Sequence, residues 1–470
     1  MNLSARSLCG LSLCLVLAPA VAAPARAQDA VVRGDLGRRL DSSVTRAERA
    51  GFSGAVLVVS GGEVVLHRGA GVAVEEPRTP YARATILPIG SNTKDFTKTA
   101  ILQLAEAGRL TLDDTVGRFF PDAPADKRPI TVRQLLEHTA GLPLGVGSDG
   151  EAPSAAAWRQ RLFERPLESA PGSARRYSNA GYGLLAAIVE RVSGVPYERY
   201  VADHIFGPAR MRETGLVLPV FDRARLAHAY AAGSDRGTML DLPRESDGPN
   251  WNLRGNGGFV STLEDMARFY RAILLDTALL RAREHRAMVV RPDEPTVLAG
   301  SDLVSFFLYG HFPGVGVEIF VASNHAAAQA PRLLDDLLPV LGIRQPQERR
   351  RRDDGPAPAP GARPGLPETG PGRTVAAYFE AYNSGDTAAM RRFFDEHALT
   401  GSGAPPMATR LDRFRQMFEH LGRITVENVA ETADGLEVHA RASNGDPVTL
   451  TFLLEGEAPF RLRGLRVEVG

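Results

Sequence analysis

Residues 345–372, QPQERRRRDDGPAPAPGARPGLPETGPG, carry almost no apolar side chain and are dense in proline and glycine. Such a stretch cannot bury a core, so it divides whatever folds on either side of it and predicts an extended linker. The chain then splits into a large region, 28–344, and a small one, 373–470. With 470 residues and 44% hydrophobic content, there is apolar material for a core in each. The arginine run at 349–352 meets Asp353 and Asp354 at once, which marks a solvated segment rather than a binding patch. A formal net charge of +0 offers no basic excess for nucleic acid.

The first 27 residues read differently. Arg6 precedes the apolar run LSLCLVLA, and Ala25-Arg26-Ala27 has the small-x-small form of a signal-peptidase site. The run is too short to span a bilayer, so no permanent membrane anchor is expected. Cleavage after Ala27 would remove Cys9 and Cys14, the only cysteines, and leave an exported protein without disulfides, periplasmic or secreted.

In the large region a polar helical stretch at 34–50 leads into GAVLVVSGGEVVLHRGAG, two β-branched runs joined at Gly61-Gly62, which predicts a hairpin. Helical patterns follow at 93–107, 131–138 and 179–192. Two more strands lie in SDLVSFFLYGHFPGVGVEIFVASN, with a helix after them to about Leu341. Strands at both ends with helices between them predict one antiparallel sheet flanked by helices, an α/β (α+β) arrangement. The small region opens with helices through Val375, Tyr378, Phe379 and Tyr382, through Met390, Phe393 and Phe394, and near 411–418. Alternation then takes over at Leu436, Val438, Ala440 and at Val448, Leu450, Phe452, Leu454, with Asn444-Gly445 as the hairpin signal between them. The apolar phase of the last strand slips between Phe460, Leu462 and Leu465, Val467, and Gly464 at the slip predicts a bulge.

Lysine is the rarest charge here. Lys94, Lys98 and Lys127 are the only three, and every other basic residue is arginine. Ser91 and Lys94 are three apart at a helix start, Gly90-Ser91-Asn92, so hydroxyl and amine share one face. The helix N-terminus adds backbone N–H groups and positive potential beside Ser91. A serine becomes a nucleophile only when a neighbour takes its proton, which a desolvated lysine can do and an arginine cannot. Lys98, one turn on, reads as a surface residue. The ten histidines show no ligand spacing, so neither metal nor cofactor is expected.

Four segments carry a wider resemblance. They are ILPIGSNTKDFTKTAILQLAEAGRLTLDD, ITVRQLLEHTAGLP, PGSARRYSNAGYGLLAAIVERVSG and GNGGFVSTLEDMARFYRAIL, in this order. Together, over about residues 54–324, they resemble the serine β-lactamase and D-alanyl-D-alanine peptidase superfamily, in particular its class C-like branch of β-lactamases, carboxypeptidases and esterases. The resemblance implies that Ser91 is acylated, that Lys94 and Tyr177 share the proton transfers, and that Asn179 of the Tyr177-Ser178-Asn179 element holds a substrate carbonyl or steers Lys94. Tyrosine titrates near about 10, so it needs a nearby cation to act as a base. The Ser91 N–H would form half of an oxyanion hole, worth about 3 kcal/mol per donor. His138, in EHTAGLP, stands where the family has a histidine of structural role.

The sequence departs from the family at its third element, K-T-G or H-x-G on the strand facing the serine. Counting back from Asn324 places Leu298-Ala299-Gly300 there, so glycine remains and the cation or imidazole is gone; His311 reads as part of a turn. The interval from Gly258 to Gly300 is also shorter than the family's. Gly300 allows close backbone approach, and the second oxyanion donor would come from near Ser301. These changes favour an ester or amide substrate, small molecule or peptide, over a β-lactam. The alternative is an impaired binding or accessory protein on the same fold. The tail resembles nuclear-transport-factor-2-like (NTF2-like, SnoaL-like) cone domains, with Tyr382, Phe393 and Phe452 either lining a cavity or filling a core.

Overall fold

The computed structural model describes residues 30–231, 234–302, 305–325, 329–343, 365–399, 407–432, 435–443 and 447–469. The export segment 1–27, most of the 345–372 linker and the Asn444-Gly445 turn lie outside the described residues. The chain forms two compact units. One holds the chain up to Ala227 with Leu242–Gly300 and Phe307–Ala322; the other holds His228–Asp241, Ser301–Phe306 and the chain from Ser323 onward.

The main sheet has six strands: β1 (Val31–Val32), β2 (Gly54–Ser60), β3 (Glu63–Ala70), β4 (Thr296–Asp302), β5 (Ser305–Phe312) and β6 (Val317–Ser323), in the order β1-β3-β2-β6-β5-β4. Strands from both ends of the region thus meet in its middle, as the pattern predicts. The β2–β3 hairpin turns at Gly61 and Gly62, both with positive φ, the combination a two-residue primed turn demands. Ser60 pairs with Glu63 across it.

The helices that position the site are α1 (Gly34–Arg49), α2 (Thr93–Glu106), α3 (Val132–Leu136), α4 (Asn179–Ser193) and α5 (Leu263–Arg271). Helix α2 is buried on nearly every face, from Lys94 to Leu104, and Phe96 packs edge-on against Phe206 and Phe269. A helix buried all round cannot slide along one seam, so its first turn is held in place. Helix α3 starts with a capping box of Thr131 and Gln134. Helix α4 starts at Ser178, whose hydroxyl accepts from the Gly181 N–H, and stops at left-handed Gly194.

The tail is built from α6 (Gly370–Asn383), α7 (Thr387–His397) and α8 (Met407–Leu421) with the sheet β7 (Ile424–Thr432), β8 (Gly435–Ala442), β9 (Pro447–Leu454) and β10 (Leu462–Val469) in meander order. Its own core gathers Tyr382, Phe393, Val438, Leu450 and Phe452. Three local outcomes differ from the sequence reading. Helix α6 begins at Gly370, inside the stretch read as linker, because the Thr369 hydroxyl caps it and Pro371 sits in its first turn. Strand β7 has no predicted counterpart. Phe460 lies outside β10 at φ 56°, while the register does shift beside Gly464, between Leu453 and Leu454.

Candidate active site

Gly90, at φ 51°, turns the chain out of its preceding extended segment into a 3-10 turn, Gly90–Asn92, that runs straight into α2. This places Ser91 just before the helix and Lys94 one turn inside it. The Lys94 ammonium, almost fully buried, donates to Ser91 Oγ at 3.1 Å and to the Asn256 carbonyl at 2.6 Å. The Tyr177 hydroxyl donates to the same Ser91 Oγ at 2.7 Å. Lys94 Nζ also stands 4.9 Å from the centre of the Tyr177 ring. One serine oxygen is therefore within proton-transfer reach of an amine and a phenol. Tyr177 is 42% exposed, so the cluster faces solvent on that side.

His138 stacks 4.5 Å from Tyr177 and 5.0 Å from Tyr182, holding the tyrosine against the serine. Its Nδ1 accepts from the Ser178 N–H at 3.1 Å. Burial first, then the nearby charges of Lys94, Arg175 and Lys98, push its pKa down to about 4, so the ring is neutral at pH 7. The same cations give the site a positive potential that favours a developing oxyanion.

Of the remaining sequence-predicted residues, Asn179 opens helix α4 two positions after Tyr177; its Oδ1 is buried with no hydrogen-bond partner among the described residues. Gly300 lies against the serine. A β-carbon there would stand 2.2 Å from the Ile89 carbonyl oxygen and 2.6 Å from the Ser91 nitrogen. Leu298, two positions earlier on β4, packs against the apolar core, and Ser301 is exposed.

Two sequence expectations are corrected. Lys98 is not a surface residue: its side chain is only 16% exposed and it pairs with the buried Asp95 at 3.4 Å. His311 lies within β5 rather than in a turn, with Nε2 donating to the Pro292 carbonyl at 3.1 Å.

Sequence reasoning missed the support behind the serine. Asp95 accepts from the Tyr270 hydroxyl at 2.8 Å, and that hydroxyl accepts from the Asn92 amide at 3.2 Å. Tyr270 stacks on Tyr309 with ring centres 3.7 Å apart. Asn256 and Tyr270 both lie in the quoted glycine-rich segment, which was the available signal. Among the described residues no group of three or more His, Cys, Asp or Glu side chains is arranged to hold a metal ion, and no helix is long and apolar enough to cross a membrane.

A serine, a lysine and a tyrosine thus converge beside a sheet edge on a β-lactamase-like fold of antiparallel sheet and helices. The chain belongs to the Beta-lactamase family, whose model matches residues 39–318. It is similar to a penicillin-binding protein of Bacillus subtilis (strain 168), 30% identical over 259 residues that cover 52% of this chain and 57% of that protein. A second relative, the putative penicillin-binding protein PbpX of the same organism, is 29% identical over 269 residues, 57% of this chain and 66% of that one. The chain thus spans less than two thirds of each. Among solved structures it is similar to D-amino acid amidase from Ochrobactrum anthropi SV3 (TM-score 0.56, 21% identity, 66% of this chain and 99% of that one). It is also similar to a penicillin binding protein from Bacillus halodurans (TM-score 0.53, 24% identity, 64% and 99%). These structural likenesses establish the fold.

Proposed function

We propose that this chain is an exported serine hydrolase that cleaves an ester or amide through an acyl-enzyme on Ser91. The observation that supports it best is the meeting of the Lys94 amine and the Tyr177 hydroxyl on the one oxygen of Ser91. In this reading Ser91 Oγ bonds to the substrate carbonyl carbon while its proton passes to the Lys94–Tyr177 pair. The carbonyl oxygen becomes an oxyanion held by the Ser91 N–H and by the backbone following Gly300, at Ser301. Collapse breaks the bond to the leaving alcohol or amine, which takes up the proton. Water, deprotonated by the same pair, then attacks the acyl carbon and releases the acid and free Ser91. Asn179 would direct its amide at the substrate carbonyl. We assign the hydrolase to 28–344, an export signal to 1–27, a linker to 345–372 and an NTF2-like cone to 373–470, with a periplasmic or secreted location.

Leu298 in the third-motif position removes the side chain that would meet a substrate carboxylate, which supports ester, amide or peptide substrates without that group. The same loss favours a second reading, a binding or accessory protein that keeps the pocket without turnover. Intact-mass measurement after a fluorophosphonate probe separates the two. A single adduct on the wild type that disappears in Ser91→Ala is expected for the hydrolase, and an unlabelled, folded wild type would replace it with the second reading.

A further inference from the structure

The tail unit contains a cavity of about 290 Å³ that the hydrolase reading leaves unused. Its wall is apolar, made by Phe394 of α7, Phe414 and Met417 of α8, and Leu465 of β10. Tyr378 also lines it, and burial pushes that phenol up, so it stays a protonated donor. Tyr382, Phe393 and Phe452, for which the sequence left cavity lining and core filling both open, do not line this cavity and belong to the tail's core.

Three arginines line the same cavity. Arg410 is held in place, donating to the Leu399 carbonyl and lying 5.7 Å over the Phe394 ring. Arg413 and Arg463 are exposed and form no ion pair among the described residues. An apolar chamber with a phenol donor and unneutralised guanidinium groups is complementary to a molecule with an oily body and one anionic head. The volume corresponds to about ten water molecules at about 30 Å³ each, which suits an acid of roughly ten heavy atoms.

We propose that the tail binds a free medium-chain carboxylic acid, its hydrocarbon chain among Phe394, Phe414 and Met417 and its carboxylate on Arg413 and Arg463. Lysine could supply charge, but planar guanidinium groups give the paired N–H donors that a carboxylate accepts. The site stands on the tail's own residues and is independent of the chemistry at Ser91.

Isothermal titration of the purified full chain with octanoate, and separately with octanol, tests this. Expected is saturable one-to-one binding of octanoate, with octanol weaker by roughly tenfold or more, the scale set by losing charge-assisted hydrogen bonds. The double variant Arg413→Gln/Arg463→Gln, exposed positions that leave the core intact, should lose octanoate affinity by a similar factor. Arg391→Gln, an exposed arginine that does not line the cavity, should keep it. Absence of saturable binding through the millimolar range, equal affinity in the double variant, or octanol as tight as octanoate would each overturn the proposal. So would binding that vanishes only after Ser91 is blocked by fluorophosphonate, since the acid would then occupy the other pocket.

Discussion

Arg254, only 1% exposed, stands among three carboxylates: Asp247 at 2.9 Å, Glu190 at 3.8 Å, and Glu198, which interacts with it through a buried field. Glu198 is fully buried, its Oε1 without a hydrogen-bond partner among the described residues, and burial, reinforced by Asp247 and Glu190, raises its pKa to about 8 against the pull of Arg254. One cation cannot neutralise three anions, so a proton is retained there. The unfolded chain releases that proton near 4.5 and the folded chain near 8, so folding stability falls as pH rises between those values and levels off above. Glu198→Gln should flatten this slope, by a few kcal/mol at most across the window, as read from denaturant midpoints at a series of pH values. An unchanged slope would remove Glu198 from the account. The cluster matters for the site because Arg254 sits two residues before Asn256, whose carbonyl holds Lys94. Ser91 and Lys94 were legible from the sequence because their chemistry depends on a three-residue spacing. Glu198, Arg254 and the burial of Lys98 were not, since burial is set by partners far along the chain.

At the scale of elements, the serine is held by three pieces: the turn at Gly90, the buried helix α2 and the strand β4 passing at Gly300. A methyl at Gly300 would press on two backbone atoms, neither of which can rotate away. Gly300→Ala should therefore cost about 1–3 kcal/mol, the usual range for overpacking. It should also slow fluorophosphonate labelling of Ser91 by more than about tenfold, as expected when reacting groups are displaced by an ångström. Wild-type labelling rates in that variant would show that the strand can withdraw without moving the serine. The hairpin at Gly61-Gly62 and the helix starts at Thr131 and Ser178 were legible because turns and caps are written in local residue types. Strand β7, ITVENVAET, was missed because its polar residues break the alternation, and it is defined by pairing with β8.

The described residues gather into two cores, one centred on Phe96, Phe259 and Tyr270 and the other on Val438, Leu450 and Phe452. Leu450→Ala should cost about 2–5 kcal/mol and lower only one of two calorimetric transitions. A single transition shifted as a whole would mean that the cores unfold together. The order of the four motif segments made the larger fold legible, whereas the placement of His228–Asp241, Ser301–Phe306 and the chain from Ser323 in the second unit depends on long-range contacts that no local pattern encodes. The distribution of lysine reaches beyond catalysis. Lys94 is 5% exposed, and the side chains of Lys98 and Lys127 are 16% and 3% exposed. The outer coat of positive charge is thus entirely guanidinium. Acylating labels and aldehyde fixatives aimed at side-chain amines would pass over that coat, and any side-chain adduct they left on a lysine nitrogen would mark a moment when the interior had opened around one of these three ammonium groups.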